Sequence, residues 1–149
     1  MDVTVARMSK ANYKALSAFI GSLRGRFGTF TMKLPTESTP SGSSLGSVTL
    51  NGSASSGATS LALTAVGATL VAGDKFTIAG QTKVYMLTEG GSGSGTYDIT
   101  PPLRANASGG AAVTFEDFLF TLRLTDDTQQ MSVRPPELYT YSFSCREAL

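Results

Sequence analysis

From Leu61 to Phe115 the apolar residues come in short alternating sets. Leu61 and Leu63, Phe76 and Ile78, Val84, Tyr85 and Leu87, Tyr97 and Ile99, and Val113 and Phe115 each stand among small or polar neighbours. Turn formers separate the sets: Ala72-Gly73-Asp74, Ala79-Gly80, the GGSGSG run at 90–95, Pro101-Pro102 and Ser108-Gly109-Gly110. Alternation of period two suits a strand with one buried face. Short strands with turn signals roughly every 8–12 residues predict a small barrel or sandwich. Residues 45–115 are assigned to such a β-barrel module.

The flanks read differently. Val3 and Val5 alternate with Asp2 and Thr4, which predicts a strand over 2–8. Ser9 is a helix N-cap by residue type, with Met8 and Tyr13 at the positions of a hydrophobic staple. Leu16, Phe19, Ile20 and Leu23 fall at helical spacing, Arg24 suits the negative helix end, and Gly25 suits a left-handed terminator. The helix is placed at about 10–24. FGTFTMKL at 27–34 reads as a strand that Pro35 ends, with Phe30, Met32 and Leu34 on one face. Further on, Phe118, Phe120, Leu122 and Leu124 alternate with Leu119, Thr121 and Arg123, Asp126-Asp127 makes a turn, and Tyr139, Tyr141, Phe143 and Cys145 alternate again. A helix with one apolar stripe needs such a sheet face to cover it. Residues 1–36 plus 116–149 therefore form a discontinuous domain of mainly β class with one packed helix. The barrel module is inserted into it, and 37–44 (rich in Ser, Thr and Pro) is the linker.

No charged or aromatic residue occurs between Ser38 and Gly73. Uncharged strand edges lack the usual protection against pairing with another chain. Either segment 38–73 offers such edges, or it is a plain inserted domain with polar loops. Residues 38–60 are expected to order only against a partner.

The residue inventory excludes much chemistry. With no His there is no Ser-His-Asp triad and no imidazole ligand for zinc. Cys145 is the single Cys, so an intrachain disulfide and a CxxC site are both excluded. Twelve Lys and Arg against eleven Asp and Glu give +1, short of a nucleic-acid footprint. No secretory leader pattern and no apolar run of membrane-spanning length occurs, so membrane insertion is not expected. The run at 90–95 lacks the Gly-Lys-Ser/Thr and helix of a phosphate loop and reads as a flexible hairpin tip. Asp126-Asp127 lacks calcium-loop spacing, and Glu89, Asp98, Glu116 and Asp117 are scattered. Cys145, among aromatics on a strand face, reads as a buried structural thiol. No catalytic, cofactor-binding or metal-ligating residue is assigned, and no enzymatic activity is expected. What remains is assembly surface, assigned to Arg24, Arg26, Phe27, Phe30, Tyr139 and Tyr141. Arg24 and Arg26 could meet a partner's carboxylates or simply end a helix in solvent.

Three stretches carry a resemblance. They are AFIGSLRGRFGTF at 18–30; LVAGDKFTI at 70–78 with KVY at 83–85, YDITPPLR at 97–104 and GAAV at 110–113; and YSFS at 141–144 with the closing EAL. In these the chain resembles minor tail proteins of long, non-contractile-tailed phages, the group that includes distal-tail-like proteins. The resemblance spans most of the chain. It implies a tail-tube-like β-sandwich with a flanking helix, and a non-enzymatic virion protein forming a hexameric ring at the tail tip. The implied partners are other copies of itself and the tube, hub and fibre proteins, with no cofactor and no nucleic-acid sequence recognition. Other stations remain open: a receptor- or glycan-binding module of the tip, a tail-tube protein or a head-completion protein. In that group more chain usually precedes the segment matching residues 2–5, so a hairpin here is either lacking, supplied by a neighbour, or cut off with a truncated start.

Overall fold

The computed structural model describes residues 1–42, 45–65, 67, 69–127, 130–134 and 138–148. In chain order it forms β1 (Asp2–Met8), α1 (Lys10–Ser22), β2 (Thr29–Met32), β3 (Val48–Leu50), β4 (Ser60–Ala65), β5 (Thr69–Leu70), β6 (Lys75–Ile78) and β7 (Val84–Leu87). Then come β8 (Gly91–Ser92), β9 (Gly95–Thr100), β10 (Ala112–Thr114), β11 (Phe120–Leu124), β12 (Gln130–Arg134) and β13 (Leu138–Glu147). The fold is mainly β, with one α-helix among the described residues and a closed barrel. Its contacts divide it into two compact units, Met1–Met32 with Thr121–Ala148, and Lys33–Phe120.

The second unit is built on the barrel, in the order β10-β3-β4-β9-β7-β6, closed where β10 pairs with β6. All of its ladders are antiparallel. Every apolar residue that the alternation picked out between Leu61 and Phe115 is buried. Val48, Leu50, Leu70 and Leu103 complete the core. Closure removes strand edges, so β3 and β4, from the uncharged segment, do not offer the edges considered above. The described part of 38–60 packs within the chain. Val48 and Leu50 are buried in the barrel, and Ala54 pairs with Ala107. Ser43 and Ser44 lie outside the described residues. The glycine-rich run is not a free hairpin tip either. Gly91 pairs with Leu70, and Gly93 O accepts the Tyr97 hydroxyl at 2.6 Å.

Inside the barrel the Tyr85 hydroxyl donates to Gln81 Oε1 at 2.6 Å and accepts from Arg104 N at 3.1 Å. Tyr85→Phe leaves that N–H without its acceptor, and a loss of about 1–2 kcal/mol is expected in chemical denaturation.

The first unit is an open sheet, β1-β13-β11-β2, with β12 also on β13. β13 is its spine. One side carries β1, from Asp2 opposite Ser144 to Met8 opposite Tyr139. The other carries β11 at residues 145–147 and β12 at 138–142. Beyond β11, Thr125 N still donates to Ser144 O at 3.0 Å. The sequence reading had a turn at Asp126-Asp127 and missed β12. Helix α1 packs on one face of the sheet, with Tyr13 stacked on Tyr139 at 4.8 Å and Phe30 set between Phe19 and Phe143. Ser9 caps the helix by accepting Asn12 N at 3.3 Å. The helix stops at Ser22 rather than about 24, and the strand expected over 27–34 is confined to Thr29–Met32. The left-handed residue that turns the chain is already Arg24 (φ 53°), followed by Gly25 (φ 64°).

Candidate functional site

The residues assigned to assembly all lie in the first unit and fall into two groups. Phe30 and Tyr141 are buried, so their surface is spent on packing under α1. Tyr139 is half-buried by the Tyr13 ring. Arg24, Arg26 and Phe27 are exposed, Phe27 to 91%. These three sit on and beside the single 3-10 turn, Gly25–Phe27, that follows α1.

That turn is held from two sides. Gly28 N donates to Leu23 O at 2.8 Å. Asp127 Oδ1 accepts Arg26 N at 3.0 Å, and Asp127 Oδ2 stands 3.7 Å from the Arg26 guanidinium. The carboxylate reaches the turn because Gly25 has no side chain: a Cβ there would overlap Asp127 Oδ1. A left-handed φ also costs an L-residue roughly 1–2 kcal/mol. Gly25→Ala should therefore destabilise the first unit by about 2 kcal/mol or more and free the Arg26 amide, which hydrogen exchange would detect.

Two further surfaces went unread in the sequence. On β12 and the start of β13, Met131, Val133 and Leu138 are 52%, 50% and 41% exposed. Met131 stands opposite Tyr141, and Val133 opposite Tyr139, so both extend the apolar face that α1 covers elsewhere. Their signal was present as the alternation Gln130-Met131-Ser132-Val133 between two turn-forming pairs, but it is shorter than the patterns around it. The second surface is basic. The β11–β13 register sets Arg123 directly against Arg146, a pairing that alternation within each strand does not reveal.

A cleft of about 730 Å³ is lined by Asp2, Arg26, Thr125, Asp126, Asp127 and Ser142 among others. Asp2 accepts the Ser144 hydroxyl, which ties the first strand to the spine. No group of three or more potential metal ligands exists among the described residues. No helix among them is long and apolar enough to cross a membrane. Cys145 is fully buried, and burial pushes its thiol above the ordinary 9.0; the Met1 ammonium opposes this and Asp2 adds to it. Tyr141 is raised from 10.0 by burial and by Tyr13. Both groups keep their protons longer folded than unfolded. Their contribution is present below the unfolded pKa and is lost as pH rises through the folded value. Stability of the first unit should thus fall above about pH 9. Cys145→Ala should flatten the lower part of that slope in alkaline denaturation curves, and the native thiol should resist iodoacetamide until the chain unfolds.

No protein-family model matches the chain, and no curated protein sequence matches it significantly.

Proposed function

We propose that this chain is a structural virion protein of a phage tail, one that forms a ring at the distal end and joins the tube to hub or fibre proteins. The sequence resemblance supplies the station. The structural observation in its favour is the exposed apolar surface of β12 and β13 on a sheet that stays open. Met131, Val133 and Leu138 line it, and β12 has no partner beyond β13 among the described residues. Apolar surface grouped along an unpaired strand favours coverage by another chain. A repeated head-to-tail contact closes into a ring when its rotation allows. The barrel, by contrast, has no strand edge to give.

Size-exclusion chromatography with light scattering, followed by negative-stain imaging, tests this. A closed ring near six copies is expected. A monomer at every concentration, unchanged when tail-tube protein is added, would remove the reading. In the ring, Met131→Lys with Val133→Lys should shift the population to monomer while moving stability by less than about 1 kcal/mol, because both positions are half exposed.

A further inference from the structure

We propose that Phe27, Arg26, Arg123 and Arg146 form a docking site for a carboxylate-bearing segment of a partner protein. The inference rests on these side chains and not on the tail assignment.

The strands impose the first element. Leu122 and Leu124 are buried on one face of β11, so Arg123 between them points to the other. The antiparallel register then places Arg146 directly across from it. Like charges directly opposite each other disfavour a strand pair. The turn after α1 adds a third guanidinium, Arg26, and the ring of Phe27. These four residues and Asp127 line a cavity of about 270 Å³. Three cations there face one carboxylate, and Asp127 already accepts the Arg26 amide.

Two details point to a missing occupant. Arg123 Nε is shut off from solvent and has no hydrogen-bond partner among the described residues. Arg123 as a whole is only part-buried and lines the cavity, so a docked carboxylate would meet the open part of its guanidinium and offset the cost of the unpaired Nε. Phe27 is more exposed than any other large apolar residue described. Arginine and aromatic side chains grouped around a small pocket are the residue types that dominate binding energy in protein interfaces. A carboxylate offers two oxygens that match the guanidinium fork, and it would accept from Arg123 while separating it from Arg146. A neighbouring apolar residue of the same segment would cover Phe27. The patch is compact and interrupted by Asp127, on a chain of net charge +1, which disfavours the long basic stripe that a nucleic-acid backbone needs.

The test is fluorescence anisotropy with a labelled, capped five-residue peptide, four glutamates around a central leucine, added to the full chain at low salt. Saturable binding with Kd below about 1 mM is expected. It should weaken about tenfold or more in Arg123→Gln with Arg146→Gln, and again in the exposed-site variant Phe27→Ser. Without peptide, the double variant should melt no lower than the parent, because a like-charge pair has been removed. No binding, or equal binding by these variants, overturns the proposal. So does a lowered melting point in the double variant, which would make the arginines structural. Inorganic phosphate competing as well as the peptide at equal charge would reduce the site to a simple anion cradle. Tighter binding of a duplex DNA of similar charge would assign the patch to nucleic acid, and either result ends the claim for a protein partner.

Discussion

Phe76→Ala is expected to remove about 3–5 kcal/mol from the barrel, the range for deleting a fully buried aromatic ring. Phe76 has no exposed surface, and its ring centroid lies 5.0 Å from Phe115 and 5.8 Å from Tyr85. It stands on β6, the strand through which the barrel closes onto β10. Neither neighbour can readily move in. Phe115 follows directly on the closing strand β10, and Tyr85 is fixed at its far end by Gln81 and Arg104. The cavity should therefore persist, and its cost adds to the lost transfer energy. At an m-value of about 2 kcal/mol per molar urea, the midpoint should drop by roughly 2 M. Phe76→Leu keeps most of the volume and should lose about half as much or less. A drop below about 0.5 M for the alanine variant would show that the barrel collapses around the gap and that closure does not depend on this ring.

The barrel was legible because most of its strands announce themselves locally. Leu61 and Leu63, or Tyr97 and Ile99, need only the period-two rule to be placed inside, and the glycines and prolines between them mark the turns. The helix start was legible for the same reason, since Ser9 caps within one turn of its own chain. What stayed hidden depends on residues distant in sequence. Val48 and Leu50 fell within the 45–115 module but in a stretch expected to order only against a partner, because their ladder partners lie at 63–65 and 112–113. β12 went unread, and its pairing with β13 is what defines it. The end of α1 shifted because Asp127, about a hundred residues on, fixes the turn at Arg26. The candidate sites fared worse than the fold. Phe30 and Tyr141 are aromatic enough for an interface, yet the helix covers them, and only packing could say so. Arg123 and Arg146 meet through a register that no local pattern encodes.

Asp74→Ala should cost the second unit about 3 kcal/mol, a large effect for a small polar side chain. Asp74 is 4% exposed. Its Oδ1 accepts Ser41 N at 2.7 Å, and its Oδ2 accepts Val71 N at 3.1 Å. The backbone around it is a tight turn: Asp74 N donates to Val71 O at 3.1 Å, with Gly73 at φ 96° where a type II turn needs a left-handed residue. The carboxylate thus closes its own turn and ties down residue 41, in the segment that leads into the barrel. Alanine leaves two amides without acceptors, each worth roughly 1–3 kcal/mol where water cannot replace the bond. Asparagine supplies only one oxygen and turns an N–H toward one of the amides, so Asp74→Asn should fall between the parent and alanine. The local signature separates this from a general loss of stability. Hydrogen exchange at Ser41 and Val71 should accelerate by more than the global change accounts for, while Leu61 and Leu63 follow the global change. If Ser41 stays as protected in Asp74→Ala as in the parent, the carboxylate is not what holds the entering segment on the barrel.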